Sequence, residues 1–186
     1  VEKLLALVVR HDELVAKLPF VLWPDELIFD RVDVTEQNMR EALLGFTMQR
    51  LPADTVSLYT LMKQPKYRGH FQSSAAVRLA ARLADCMARL HAAGIVFCDL
   101  NPKNIHVSKD LNEVYFLDAD GYQAALGRTP IPSRGVTEGY ASPAAIAAGS
   151  SVHRADGNHT DDVPAFAVIS AFSAIAVDPI TGVREA

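Results

Sequence analysis

Carboxylate and amide side chains recur at two places near the middle of the chain. The run D-L-N-P-K-N extends from Asp99 to Asn104, and the acidic turn D-A-D-G begins at Asp118, fourteen positions after that asparagine. Phosphoryl transfer needs a carboxylate that orients the attacking hydroxyl, an asparagine amide for one magnesium ion and a second carboxylate that bridges the metal to the phosphates. Asp99, Asn104 and Asp118 supply these three groups, so their spacing predicts a phosphoryl-transfer site.

The elements around these residues predict that they come together. Apolar residues repeat at helical spacing over 73–93, and this helix is expected to end at the glycine that follows. Two short apolar strands come next, at 105–107 and 114–117, with the turn K-D-L-N between them. The resulting hairpin places Asn104 and Asp118 at neighbouring strand ends.

The remaining patterns predict a chain of mixed helices and strands. We expect a helix over 2–9, an antiparallel strand pair over 27–29 and 43–48, an irregular loop over 129–147 and a buried helix over 165–177. No internal repeat or low-complexity tract interrupts this order.

Composition excludes several classes of protein. A chain of 186 residues can bury a substantial core without metal or disulfide bonds. The net charge of -4 argues against a protein built mainly to bind nucleic acid, and no apolar stretch reaches the roughly 20 residues of a membrane helix. Cys86 and Cys98 lie far apart without metal-type spacing, which is typical of a reduced, cytoplasmic protein. Because Val1 is not a methionine, we expect that the chain was cut from a longer protein.

The order of these pieces resembles the protein kinase fold, and in particular the bacterial eukaryotic-like serine/threonine kinases that are often found beside metal-dependent protein phosphatases. L-H-A-A-G-I-V resembles the end of the long helix that leads to the catalytic loop, and F-C-D-L-N-P-K-N resembles the loop itself, H-R-D-L-K-P-x-N. F-L-D-A-D-G-Y-Q resembles the magnesium-binding turn. G-V-T-E-G-Y-A-S-P resembles the end of the activation segment, and D-D-V-P-A-F-A-V resembles the helix that anchors the catalytic loop. Upstream, F-V-L-W-P-D-E-L and G-F-T-M-Q-R-L-P resemble the strands that lead into the adenine-binding hinge.

The resemblance implies a fold, an activity and partners. The fold would be α+β and protein-kinase-like, with a partial small lobe and hinge at 1–51 and a partial, mostly helical large lobe at 52–186. In its full-length form the protein would transfer the ATP γ-phosphate to Ser or Thr of a protein substrate with Mg²⁺ or Mn²⁺. A metal-dependent protein phosphatase would be a second partner.

The resemblance also implies roles for individual residues. Asp99 would orient the hydroxyl or act as the catalytic base, and Asn104 and Asp118 would hold the metal ions. Asn101 stands where the family has the lysine that contacts the transferring phosphate. The nucleotide-binding positions would be Met48 as the gatekeeper, the backbone of Gln49 to Leu51 at the adenine edge, Asp54 at a ribose hydroxyl and His106 in the adenine floor.

Supporting residues follow from the same resemblance. Glu2 falls where a helix glutamate should pair with a phosphate-binding lysine, and Asp162 falls where an anchoring aspartate should bond to the catalytic-loop backbone. His91 is expected to be a structural residue at the helix end that bonds to backbone. Asp120 is expected to be a turn former before Gly121 rather than a third metal ligand.

Several departures from the family pattern leave two other classes of protein open. Cys98 replaces the arginine that grips a phosphorylated activation segment, Phe97 replaces a histidine, and no Gly-rich loop or phosphate-orienting lysine precedes Glu2. The missing loop and lysine favour a pseudokinase, a binding module without turnover, for this chain, whereas Asp99, Asn104 and Asp118 favour an active kinase for the longer parent. Small-molecule phosphotransferases of the aminoglycoside or choline kinase type share the Asp-x-x-x-x-Asn motif, but the peptide-binding segment at 135–143 argues against them.

Overall fold

Helices and short strands share the chain, as the sequence predicts. The computed structural model describes residues 1–64, 73–124, 140, 162, 163, 165–167 and 169. Its helices are α1 (Glu2–Val9), α2 (His11–Lys17), α3 (Met39–Ala42), α4 (Leu58–Lys63) and α5 (Ser73–Ala92). Its strands are β1 (Pro24–Phe29), β2 (Leu43–Met48), β3 (Thr55–Ser57), β4 (Ile95–Val96), β5 (Ile105–Ser108), β6 (Val114–Phe116) and β7 (Gln123–Ala124).

Strands β1 and β2 form the predicted antiparallel pair. Leu27 lies opposite Phe46 and Ile28 opposite Gly45, with register shifts on either side. Helix α1 packs on β1 and also contacts the turn that follows β6. Leu7 of α1 is 0% exposed, so its burial sets which face of the helix is turned toward the rest of the molecule.

A three-stranded antiparallel sheet carries the predicted hairpin. Strand β5 lies between β3 and β6, with His106 opposite Ser57 on one side and Tyr115 on the other. The pairing of β5 with β6 was expected, whereas β3 and α4 have no counterpart in the sequence patterns described above. The signal for α4 is the residue that precedes it: the Ser57 hydroxyl accepts the Thr60 N–H at 3.2 Å, as helix-capping serines do.

Helix α5 confirms the most regular pattern in the sequence. Leu79 and Leu90 are buried on one side, and Arg82 is exposed on the other. The helix ends at Ala92, two residues before Gly94, whose φ of 73° is a conformation that glycine adopts at little cost. The Gly94 N–H donates to His91 O at 2.9 Å, and the chain then enters β4 and the loop that carries Asp99.

Aromatic side chains form the part of the core that lies under this loop. The ring of Phe97 lies 4.3 Å from that of Tyr122 and 5.3 Å from that of Phe116, measured between centroids. Trp23 meets Tyr122 edge to face at 6.1 Å. Phe97 replaces a histidine of the family pattern, and these contacts account for an aromatic, apolar side chain at that position.

Two further predictions concern the whole chain. Among the described helices, none combines the length and the apolar character needed to cross a membrane. The predicted loop at 129–147 lies outside the described residues apart from Tyr140, and the predicted helix at 165–177 is described only at 165–167 and 169. The division into lobes at residue 51 stays a prediction.

Candidate active site

The predicted catalytic loop is held together by the side chains of its two asparagines. Asn104 donates from Nδ2 to Asp99 O at 3.3 Å. Asn101 is only 6% exposed; its Nδ2 donates to Asp99 Oδ2 at 3.2 Å, and its Oδ1 accepts the Lys103 N–H at 3.0 Å. A hydrogen bond to a carboxylate restricts its rotation, so the loop holds the Asp99 side chain in one orientation.

The β5–β6 hairpin brings Asn104 beside Asp118, as the sequence predicts. Ile105 pairs with Phe116, and the Leu117 N–H donates to Asn104 O at 2.9 Å just beyond that pair. Nδ2 of Asn104 donates to the loop, and Oδ1 is the amide atom that can bind a cation because only the oxygen has lone pairs available. The hairpin therefore places one amide oxygen donor next to the acidic turn.

Asp118 adopts an unusual backbone conformation. Its φ of 63° and ψ of 36° lie in the left-handed region, and the Gly121 N–H closes the turn by donating to Asp118 O at 2.8 Å. Aspartate and asparagine tolerate this region better than other residues with a side chain. Strained residues of this kind concentrate at functional sites, where the surrounding structure holds them in place.

Three carboxylates act on one another in this turn and loop. Asp118 is exposed at the surface, but neighbouring atoms shield part of its carboxyl group from solvent. This partial burial, and then the negative charges of Asp120 and Asp99, raise the pKa of the Asp118 carboxyl, while the positive charge of Lys3 opposes the shift. Each of these causes except Lys3 makes the ionised Asp118 less favourable. A bound divalent cation would relieve the repulsion, so the electrostatics of the turn favour a metal ion. Asp120 lies in the one-turn 3-10 helix Ala119–Gly121, as expected of a turn former.

Asp162 anchors the loop from below, as predicted. Its carboxylate, 1% exposed, accepts the backbone N–H groups of Phe97 at 2.9 Å and Cys98 at 2.8 Å. Its Oδ2 also lies 2.9 Å from Nε2 of His91, so this histidine contacts the anchoring carboxylate, a partner that the sequence did not predict. Cys98 has a φ of 66°, and the two backbone bonds fix the chain in that strained conformation.

The residues predicted to bind the nucleotide lie in a separate stretch. Met48 ends β2 and is 39% exposed, Gln49 and Asp54 are exposed, and Leu51 is half-buried. His106 is half-buried at the centre of the sheet; burial lowers its pKa, and its buried Nδ1 has no hydrogen-bond partner within the described residues. The pairing of β3 with β5 links this stretch to the loop and turn that hold Asp99, Asn101, Asn104 and Asp118.

The prediction for Glu2 is wrong, and its neighbour takes the inward position. The Glu2 side chain is 83% exposed and pairs with Arg40 at 2.7 Å. Lys3 instead reaches the acidic turn, where Nζ donates to Tyr122 O at 2.9 Å. Successive helical residues differ by about 100° around the helix axis. An error of one position in aligning α1 therefore places the Glu2 carboxylate on the inward face, where the structure has the Lys3 ammonium. The burial of Leu7, four residues after Lys3, identifies the inward face.

Comparison with known proteins gives no match to the sequence but a match to the structure. No family model and no curated protein matches the sequence. The structure of the Cydia pomonella granulovirus kinase PK-1 matches with a TM-score of 0.60 and 14% identity, over 92% of this chain and 53% of that chain. The fold is kinase-like. The chain spans about half the length of the viral kinase chain that it resembles.

The oxygen atoms of Asn104 and Asp118 suit a metal ion whose remaining ligands are phosphate oxygens and water. No group of three His, Cys, Asp or Glu side chains within the described ranges could hold a metal by itself. Magnesium, however, is commonly bound by one or two carboxylates, waters and substrate phosphates rather than by a complete protein cage. Asn104 and Asp118 fit that incomplete set.

Gly121→Ala is expected to weaken binding of Mg²⁺ with ATP about threefold to tenfold, because small displacements of metal-binding groups are costly. An added Cβ would lie 3.2 Å from Oδ2 of Asp118 and displace that carboxylate by a few tenths of an ångström. Gly45→Ala is the matched control, since its Cβ would meet nothing within 4 Å. Titration calorimetry of both variants checks the prediction, and equal affinities would contradict it.

Proposed function

We propose that this chain is the catalytic portion of an ATP-dependent protein kinase of the bacterial eukaryotic-like type, which transfers the γ-phosphate to Ser or Thr. One observation carries the proposal: Asp99, Asn104 and Asp118 belong to a single loop-and-turn unit, in which hydrogen bonds from Asn101 and Asn104 fix the loop. Asp162 supports the same unit from the core. The match to a viral kinase supports the fold on which the proposal rests.

Each polar residue has a distinct role in this proposal. Asp99 orients the substrate hydroxyl and accepts its proton while the new O–P bond forms and the bond between the β- and γ-phosphates breaks. Asn104, through Oδ1, and Asp118, through its carboxylate, hold Mg²⁺ or Mn²⁺. The bound ion supplies the positive charge that neutralises the phosphates. The hydrogen bond from Asn101 keeps Asp99 in the orientation that the hydroxyl requires.

The nucleotide base and sugar are assigned to the second stretch. Met48 would border the adenine, the backbone of Gln49 to Leu51 would bond its edge, and Asp54 would bond the ribose. His106 would lie beneath the adenine ring, where a neutral imidazole with a low pKa can stack without the cost of burying a charge. Protein partners, in the same proposal, are a Ser/Thr substrate and a metal-dependent phosphatase that reverses the modification.

A pseudokinase is the second candidate, and the geometry of Asn101 favours it. Both ends of the Asn101 amide are used within the loop, one toward Asp99 and the other toward Lys103. An amide fixed in this way lacks the cation that a lysine would offer to the transferring phosphate. The protein would then bind nucleotide or another protein without turnover.

Asp99→Asn is expected to lower phosphate transfer about 100-fold while ATP affinity stays within about twofold, because the amide cannot accept the proton of the hydroxyl. The measurement is incorporation of label from [γ-³²P]ATP with Mg²⁺ or Mn²⁺ into a Ser/Thr-rich protein. Asp12→Asn, an exposed position on α2, is the control. No label from the wild type, together with ATP-dependent thermal stabilisation, would reject the kinase and support the pseudokinase.

A further inference from the structure

A lysine from the first helix lies against the acidic turn. Lys3 is half-buried, and its Nζ donates to Tyr122 O at 2.9 Å. Helix α1 contacts the turn Ala119–Gly121, which directly follows Asp118. The ammonium group therefore lies at the end of the short turn that begins at Asp118.

The packing of helix α1 fixes the direction in which the Lys3 side chain points. Leu7 is fully buried four residues later on the same face of α1, so Lys3 cannot rotate away without exposing the leucine. Glu2 points outward to Arg40, and both side chains of that pair are mostly exposed. Helix α1 thus presents a cation, and no carboxylate from its first turn, to the turn that carries Asp118.

We propose that Lys3 is a phosphate-binding residue, whose ammonium contacts a non-bridging phosphate oxygen of the nucleotide next to the metal ion held by Asn104 and Asp118. The inference rests on the proposed function, because it needs a nucleotide in that site. An ammonium has three donor hydrogens, so the bond to Tyr122 O is compatible with donation to a phosphate. That bond also holds the flexible lysine stem in the direction of the turn.

A structural role for Lys3 makes a different prediction. If Lys3 served only to join α1 to the turn through Tyr122 O, its loss would lower stability and weaken all ligands alike. A phosphate contact affects ligands selectively, because adenosine has the base and ribose of ATP but lacks the phosphates. The comparison of ATP with adenosine therefore separates the two roles.

The test measures affinity for ATP with Mg²⁺ and for adenosine, by calorimetry or ligand-detected NMR, in wild type, Lys3→Met and Lys3→Arg. We expect Lys3→Met to weaken ATP binding about 10- to 100-fold, the usual worth of a charged hydrogen bond, with adenosine affinity unchanged. Lys3→Arg should retain ATP affinity within a few-fold. Lys17→Met is the matched control, because Lys17 is exposed and pairs with Glu13 far along α2.

Three results would overturn the inference. Equal loss of ATP and adenosine affinity in Lys3→Met would assign Lys3 a structural role, and no loss of either would show that Lys3 takes no part in ligand binding. Both of these results would leave the proposed function intact. A wild-type protein that binds neither ligand would overturn the proposed function and the inference with it.

Discussion

Replacing Asp162 with alanine is expected to lower the free energy of unfolding by about 3–5 kcal/mol, a large share of the stability of a typical domain. The Asp162 carboxylate accepts two backbone N–H groups, those of Phe97 and Cys98, and also contacts His91. Alanine would leave these buried donors without an acceptor, and each such loss costs about 1–3 kcal/mol. Urea denaturation followed by circular dichroism measures the effect.

The same substitution should also disturb the predicted catalytic loop. Cys98 keeps a φ of 66°, which an L-residue leaves readily once its hydrogen bonds are removed. Asp162→Asn keeps one acceptor oxygen but turns an NH₂ group toward the other N–H, so about half of the loss is expected. Asp12→Ala on exposed α2 is the control, with a change within about 0.5 kcal/mol. If Asp162→Ala unfolds at the same urea concentration as that control, Asp162 is not an anchor.

Much of this site could be predicted because its determinants are local in sequence. The amphipathic pattern of α5 and the alternation of β5 and β6 each lie within one element, and the residues that follow them are placed by chain connectivity. Asn104 and Asp118 flank one hairpin, so the pairing of Ile105 with Phe116 is enough to bring them together. The predicted loop and turn needed no knowledge of distant contacts.

The parts that sequence reasoning missed depend on long-range packing. Glu2 and Lys3 are neighbours on one helical turn, and what decides between them is the burial of Leu7 and the approach of Tyr122 from the other half of the chain. The bond between His91 and Asp162 joins positions 71 residues apart. Strand β3 has only three residues and pairs with β5, so its own sequence carries little signal.

The surroundings of Phe97 and Cys98 explain why these residues differ from the kinase pattern. Phe97 and Cys98 stand where the kinase pattern has histidine and arginine, and both are buried. Phe97 fills the aromatic cluster with Phe116 and Tyr122, while Cys98 contributes its backbone N–H to Asp162. At both positions, packing in the core and hydrogen bonding of the backbone account for the residue that is present.

Asp118→Asn is expected to change stability and function in opposite directions. Phosphate transfer and the metal-dependent part of ATP binding should fall on the order of 1,000-fold, because a neutral amide replaces the proposed carboxylate ligand of the metal. Stability without ligand should rise at pH 7, by less than about 1 kcal/mol because the residue is exposed. Asparagine also tolerates the left-handed φ of 63°, so the backbone of the turn is retained.

The sign of the stability change follows from the raised pKa of Asp118. A carboxyl whose pKa is higher in the folded state than in the unfolded state destabilises the fold once it is ionised, so the penalty is complete above the folded-state pKa and disappears below the unfolded one. The gain from Asp118→Asn should therefore shrink as the pH is lowered through that range, as measured by thermal unfolding between pH 3 and pH 8.

Asp120→Asn distinguishes a metal ligand from a charged neighbour. It removes one of the negative charges that raise the pKa of Asp118 and leaves the Asp118 carboxylate in place. We therefore expect a similar small gain in stability but only a few-fold change in metal-dependent ATP binding. If Asp120→Asn abolishes that binding and Asp118→Asn does not, the metal ligands are misassigned, and Asp120 rather than Asp118 binds the cation.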